Sequence, residues 1–148
     1  LPPLEPPAGL DAVVVLNSFG SLLWGHRGLA SIEVPVLSIG GSMDLITPPL
    51  NEQLRPFQQF QHPGSRLAVV EGGSHFSPVG LRREQALMRL GSDLVGEDPR
   101  LVQRALVDLH ARFLQSLAKG ESLPSGLHSS AGVSTYVLDA PMAKPLLP

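Results

Sequence analysis

The segment VPVLSIGGSMD, residues 34–44, is the stretch that decides the fold of this chain. Its first six residues are mostly apolar and branched, without the alternation of polar and apolar side chains seen in a strand with one face in water. Such a run is typical of a strand covered on both faces, as in a parallel sheet with helices on either side. Two glycines end the run, so Asp44 follows directly after the C-terminal end of the predicted strand.

A second segment, RLAVVEGGSHF at residues 66–76, has the same organisation, with His75 in the place of the aspartate. A third apolar run, DAVVVL at residues 11–16, precedes both. Thr47, which two prolines follow, indicates a helix start with a capping hydroxyl between the second and third strands. Strands that alternate with helical connections predict βαβ units and a parallel sheet with right-handed crossovers.

The rest of the chain adds helices and two proline-rich ends. Asp98 and Pro99 open a long stretch with apolar residues at helical spacing, and Gly120 follows its end. A shorter amphipathic helix is predicted over residues 81–90. We therefore predict an α/β fold of three layers (αβα), with a mostly parallel sheet of about three strands and flanking helices. The predicted divisions are a proline-rich linker or cut end at 1–10, the α/β domain at 11–118 and an extended tail at 119–148.

The composition is that of a globular domain and argues against several classes of function. The chain has 148 residues, 43% of them hydrophobic, and a net charge of −2. This charge gives no electrostatic basis for binding nucleic acid or an anionic membrane. No apolar run approaches the roughly 20 residues that span a bilayer. The absence of cysteine excludes disulfides, thiolate metal sites and a cysteine nucleophile, but the composition does not decide the cellular compartment.

Asp44 and His75 are the candidate catalytic residues. The C-terminal ends of parallel strands meet at one edge of a sheet, where open α/β proteins keep their chemistry, so the two side chains are expected to lie close together. A carboxylate that holds an imidazole in one tautomer is the acid–base part of a nucleophilic triad. Taken singly, Asp44 could instead be a turn residue bonded to its own backbone, and His75 a surface or packed histidine.

A nucleophile is not evident in the sequence. A serine on a strand-to-helix elbow needs small residues two positions before and after it, as in G-x-S-x-G. Ser18 follows a strand and has Gly20 downstream, but Leu16 occupies the upstream position, so Ser18 is a poor candidate. The other serines near the candidate pair are interpreted as turn residues, and the remaining histidines are not favoured for catalysis: Ser42, Ser74 and Ser77; His26, His62, His110 and His128. No spacing of ligands predicts a metal, and no glycine-rich loop predicts a phosphate-bearing cofactor.

The quoted segments resemble the C-terminal half of an α/β-hydrolase. Residues 34–48 are similar to the penultimate strand, acid turn and following proline of that family, and residues 71–76 to the exit of its last strand into the histidine loop. Details at residues 51–57 and 75–77 most resemble a dienelactone-hydrolase-like group of predicted esterases familiar from cyanobacteria, with a weaker likeness to cutinase and lipase-type polyester hydrolases. The resemblance covers about residues 10–118.

The resemblance implies that Asp44 is the triad acid, that His75 is the general base, and that the serine and oxyanion-hole donors belong to a preceding stretch outside this sequence. We therefore expect the acid–base half of a serine hydrolase for small esters or related acyl compounds, inactive alone and partnered by an N-terminal hydrolase segment. One alternative is a truncated, non-catalytic remnant that binds a ligand or partner. Another is a relative with an aspartate nucleophile. The region of Trp24 and residues 78–97 could line or cover a pocket, although the latter could equally be a surface excursion.

Overall fold

The structure, a computed structural model, describes residues 8–20, 27–79 and 98–146. These residues form an α/β fold in which helices pack on both faces of a five-stranded mixed sheet. The strands are β1 (Val13–Leu16), β2 (Val36–Gly41), β3 (Arg66–Val70), β4 (Gly126–Ser130) and β5 (Val133–Leu138). The helices are α1 (Arg55–Phe57), which continues a turn of π-helix at Leu50–Leu54, α2 (Pro99–Ala118) and α3 (Ala140–Ala143), with 3-10 turns at Ser77–Val79 and Lys144–Leu146.

The sheet has a parallel half and an antiparallel half, in the strand order β1-β2-β3-β5-β4. Strands β1, β2 and β3 are parallel, which confirms the three strands predicted from the apolar runs. Strand β5 runs antiparallel to β3, and β4 antiparallel to β5. The prediction of a mostly parallel sheet of about three strands is therefore wrong, although the α/β class is correct.

The additional strands lie in the region predicted as an extended tail, residues 119–148. Strands β4 and β5 form a hairpin there, and α3 follows it, so the prediction of an extended tail is not what the structure shows. The two-residue loop has positive φ at Ala131 (53°) and Gly132 (80°), the backbone required by a tight hairpin turn of type I′. The serines and glycines of this region thus belong to a strand pair and its turn.

The larger hydrophobic core lies between the sheet and α2. Leu37, Ile39 and Val70 of the parallel strands share it with Val137 of β5 and with the apolar face of α2, on which Phe113 is fully buried. Burying a side chain of this size contributes about 1.5–3 kcal/mol. The core therefore spans both halves of the sheet, and the hairpin is part of it.

Helix α2 confirms the helix predicted after Asp98. The carboxylate of Asp98 caps its N-terminus by accepting a hydrogen bond from the Arg100 N–H at 2.9 Å. Gly120, with φ of 71°, ends the helical conformation just after Ala118. The shorter helix predicted over residues 81–90 lies outside the described residues.

A smaller core covers the opposite face of the sheet. Leu54 and Phe57 pack there on Leu67 of β3, together with Ala143 of α3. The helical segment in front of α1 begins after Pro49 without a side-chain cap, so the capping role predicted for Thr47 is wrong. The helical segment around α1 is short, as predicted from its internal proline. None of the helices in the described residues is long and apolar enough to cross a membrane.

A buried arginine joins the two halves of the sheet. The Nε of Arg66, at the start of β3, donates to the carbonyl of Leu123 at 2.6 Å, just ahead of β4. Its Nη1 donates to the carbonyls of Pro63 (2.9 Å) and Ser65 (2.7 Å). Burial lowers the pKa of the guanidinium, and the charge of Asp139 opposes this shift. Backbone oxygens thus satisfy a charge that the packing removes from water.

Candidate active site

The turns that follow β2 and β3 pack directly against each other. The N–H of Met43 donates to the carbonyl of Gly73, and the N–H of Ser42 to that of Val70, each at 2.9 Å. A Cβ atom on Gly41 would collide with the carbonyl group of Gly73, so the backbones approach as closely as they do only because glycine occupies this position. The paired glycines thus hold the acid turn and the histidine turn at a fixed separation.

The structure brings Asp44 and His75 together, as their placement after adjacent strands predicts. The Oδ2 atom of Asp44 lies 3.0 Å from Nδ1 of His75. The aspartate side chain is fully buried, whereas 23% of the histidine side chain is exposed. A buried acid with a partly open imidazole is the arrangement in which the imidazole can reach a further group while the acid stays shielded from water.

The Asp44 carboxylate is surrounded by hydrogen-bond donors. Its Oδ1 accepts the N–H groups of Ile46 (2.9 Å) and Thr47 (2.8 Å), and its Oδ2 accepts the hydroxyl of Thr47 at 2.7 Å. The residue is therefore both a turn aspartate and the partner of His75, since Oδ1 accepts from the turn and Oδ2 contacts both Thr47 and the imidazole. An acceptor at Nδ1 favours the tautomer with hydrogen on Nδ1, which leaves the lone pair of Nε2 free to take a proton.

Two residues that sequence reasoning did not assign to the site complete this network. Asn17, directly after β1, donates from Nδ2 to the carbonyls of Ser74 (3.2 Å) and His75 (3.0 Å). The hydroxyl of Thr47 lies 3.1 Å from Nδ1 of His75 and 3.2 Å from the carbonyl of Asn17. The sequence signal for Asn17 was an asparagine at the end of a strand, because asparagine tolerates positive φ.

Large apolar side chains surround the imidazole. The ring of Phe19 lies 6.2 Å from that of His75 between centroids, and the ring of Phe76 lies 5.3 Å away, edge to face. Several apolar side chains at this edge of the sheet are exposed: Leu16, Phe19, Met43, Leu45, Ile46, Leu50 and Val79. The edge that carries the Asp44–His75 pair is therefore also an apolar surface.

Serines near the pair make hydrogen bonds in the described residues, through the main chain at Ser18 and through the hydroxyl at Ser42 and Ser77. The carbonyl of Ser18 accepts a hydrogen bond from the Gln53 side chain at 3.1 Å. The hydroxyl of Ser42 accepts the N–H of Gly72 at 2.9 Å, and that of Ser77 accepts the N–H of Ser74 at 2.9 Å. These contacts agree with the interpretation of Ser42, Ser74 and Ser77 as turn residues.

The other described histidines lie apart from the pair and bond to their own segments. Nδ1 of His62 accepts the N–H of Gly64 at 3.0 Å. A ring nitrogen of His110 donates to the carbonyl of Leu106 at 2.6 Å, and one of His128 to that of Pro124 at 2.9 Å. His26, Trp24 and nearly all of the segment 78–97 considered as a pocket cover lie outside the described residues. Within residues 8–20, 27–79 and 98–146, no group of three or more His, Cys, Asp or Glu side chains could hold a metal ion.

No protein-family model matches this chain, and no curated protein matches it.

Proposed function

We propose that this chain supplies the acid and the general base of a serine hydrolase that acts on carboxylic esters or related acyl compounds. The observation that carries the proposal is the contact between the buried Asp44 carboxylate and Nδ1 of the partly exposed His75, 3.0 Å apart at the C-terminal edge of the parallel strands. A buried carboxylate that contacts Nδ1 of a histidine supports this proposal, because the acid and base of a nucleophilic triad are arranged in this way.

Each residue has a defined role in the proposed reaction. Nε2 of His75 takes the proton of a serine hydroxyl as the serine oxygen attacks the acyl carbonyl carbon. Asp44 stabilises the imidazolium that forms, and His75 then gives the proton to the departing alcohol. In the second half of the cycle His75 takes a proton from water, the resulting hydroxide attacks the acyl-serine, and the serine regains its proton as the acid product leaves.

The outer edge of β1, which is unpaired among the described residues, supports the proposal of a nucleophile supplied from outside this sequence. In the described part of the chain β1 pairs with β2 alone, and residues Val13–Leu16 carry neither the charges nor the proline that usually protect an edge strand. A further parallel strand on this edge would lie about 4.8 Å from β1 and end at the same edge of the sheet as Asp44 and His75. A hydrolase segment that carries its serine at the end of such a strand is the partner we propose.

The test is covalent labelling of the assembled enzyme, this chain together with the nucleophile-bearing segment, by a fluorophosphonate. We expect the labelling rate to fall by about 10²–10⁴ in His75→Ala, the usual contribution of a general base, and to fall strongly in Asp44→Asn. The matched control is His128→Ala, which changes a histidine bonded to the carbonyl of Pro124 far from the pair. Labelling of His75→Ala at the rate of the unmodified enzyme would reject the proposal.

A non-catalytic binding module is the second candidate, and the exposed apolar side chains around the pair favour it. Leu45 is 65% exposed and Leu50 is 53% exposed on the acid-turn side of His75, a surface suited to an apolar ligand or partner. A protein that shows no serine-directed labelling in its complete form, yet loses binding of a ligand or partner when Leu45 is changed to serine, would favour this candidate.

A further inference from the structure

We propose that Asn17 is a positioning residue that sets the relative placement of Asp44 and His75. The inference rests on the proposed function for its catalytic consequence, because a fixed Asp–His distance matters most to a general base. The positioning itself is a property of the chain alone and can be measured without turnover.

Asn17 is anchored where three strand ends meet. Its N–H donates to the carbonyl of Ile39 at 2.8 Å, which joins the end of β1 to β2. Its φ is 46°, in the left-handed region that few residue types adopt readily, and the residue as a whole is only 9% exposed. A conformation of this kind persists when the surrounding contacts determine it.

The side chain of Asn17 holds the histidine turn. Its Nδ2 group carries two hydrogens, and two carbonyls lie within hydrogen-bond distance of it, those of Ser74 and His75. The second of these carbonyls belongs to the same residue as the imidazole. Fixing the two peptide groups that flank the Cα atom of His75 limits where the imidazole ring can lie.

The main chain of Asn17 contacts the acid turn. Its carbonyl lies 3.2 Å from the hydroxyl of Thr47, and that hydroxyl lies 2.7 Å from Oδ2 of Asp44. The same hydroxyl lies 3.1 Å from Nδ1 of His75. One residue therefore touches the histidine turn through its side chain and the acid turn through its carbonyl and Thr47, which is the arrangement that fixes a distance between two turns.

The chemistry of asparagine suits this position. The amide donates two hydrogen bonds, which aspartate in its ionised form cannot do, and asparagine tolerates positive φ better than alanine does. Asn17→Gly keeps the backbone conformation accessible and removes only the amide, so it is the informative variant. Asn17→Asp keeps the shape of the side chain but replaces the donating amide with a carboxylate oxygen, which would face the carbonyl oxygens of Ser74 and His75 without a hydrogen between them.

The experiment is NMR of this chain with ¹⁵N-labelled histidine, in which ring nitrogen shifts report the tautomer of His75. The unmodified chain is expected to show one tautomer, with hydrogen on Nδ1 and slow exchange of that hydrogen. In Asn17→Gly we expect a mixture of tautomers and exchange about tenfold faster or more, the factor expected for loss of a buried hydrogen bond. Asn51→Gly is the control, because Asn51 is exposed on the π-helical turn. Backbone amide spectra show that each variant is folded.

The outcomes separate the two proposals. A single Nδ1–H tautomer with unchanged exchange in a folded Asn17→Gly overturns the positioning role and leaves the proposed function intact. A His75 that carries its hydrogen on Nε2 in the unmodified chain overturns the proposed function itself. If neither Asn17→Gly nor Asn17→Asp folds, hydrogen exchange at Nδ2 of Asn17 in the unmodified chain tests the positioning role. Slow exchange of the two hydrogens supports the role, and exchange at the rate of a free amide overturns it.

Discussion

The two halves of the sheet differ in what they contribute to the molecule. The parallel half, β1 to β3, ends in three turns that meet at one edge and carry Asn17, Asp44 and His75. The antiparallel half, β5 and β4, ends in a tight hairpin turn and adds none of the described contacts of the Asp44–His75 pair. Its role is to extend the hydrophobic core.

Because of this difference, the geometry of the Asp44–His75 pair and the stability of the fold depend on different sets of residues. Val133 and Val137 of the hairpin are buried in the same core as the parallel strands, so the free energy of unfolding depends on both halves. The Asp44–His75 distance depends on the glycine turns and on Asn17, all in the parallel half. Mutations in the two halves should therefore affect stability and site geometry in different proportions.

The largest expected loss of stability comes from the antiparallel half. Leu123, which precedes β4, is 1% exposed, and Leu123→Ala should lower the free energy of unfolding by about 2–5 kcal/mol because it leaves a cavity. Leu127→Ala is the matched control, since Leu127 is 64% exposed and should change stability by less than about 0.5 kcal/mol. Urea unfolding measures both. A change of the His75 tautomer in folded Leu123→Ala would contradict the separation of the two halves.

A smaller loss of stability with a larger effect on the site is expected at Gly41. Gly41→Ala forces a Cβ into the carbonyl group of Gly73 and should cost about 1–3 kcal/mol, the usual range for overpacking. The acid turn must move away from the histidine turn, so the single Nδ1–H tautomer of His75 should be lost. Gly73→Ala is the control, because its Cβ would meet the Cα of Gly41 at 3.1 Å, which a small shift relieves. Equal effects of the two substitutions would show that the close approach of the turns does not depend specifically on Gly41.

Loss of the Arg66 side chain, which connects the two halves of the sheet, is expected to lower stability less than Leu123→Ala or Gly41→Ala. Arg66→Met removes the hydrogen bonds to the carbonyls of Leu123, Pro63 and Ser65, and it also removes a charge that burial disfavours. These effects oppose each other, so the net loss should be about 1–2 kcal/mol. The His75 tautomer should stay unchanged. Urea unfolding followed by far-UV circular dichroism measures the loss, and a loss as large as that of Leu123→Ala would mean that the hairpin depends on this arginine.

The parallel half was predictable from the sequence because its signals are local. Each strand is an apolar run, the second and third runs are followed by a glycine pair, and the geometry of a parallel sheet then places Asp44 and His75 at one edge. The hairpin escaped prediction because β4 and the residues around it are rich in serine and glycine, and Ser- and Gly-rich segments are typical of loops. The turn at Ala131 and Gly132 was the signal, but alanine is rare in the left-handed conformation that the turn needs.

The network around the pair could be predicted only in part. The candidate catalytic residues could be predicted as an acid and a histidine after two strands, whereas the residues that contact them in the network could not. The two prolines that follow Thr47 predict a helix cap, and only the folded turn directs its hydroxyl to Asp44. Asn17 contacts residues 57 and 58 positions away, and no local pattern encodes such a contact.

The smallest expected effect tests whether the acid and histidine turns are joined mainly by backbone or by side chains. Ser42→Ala removes the hydroxyl that accepts the N–H of Gly72 at 2.9 Å, but it keeps the backbone bonds from Ser42 to Val70 and from Met43 to Gly73. Because one hydrogen bond of three is lost and Ser42 is exposed, stability should fall by about 0.5–1 kcal/mol. Ser129→Ala, on the exposed side of β4, should leave stability unchanged within about 0.5 kcal/mol. The His75 tautomer should survive both substitutions, whereas its loss in Ser42→Ala would mean that a side chain, and not the glycine backbone, sets the distance between the turns.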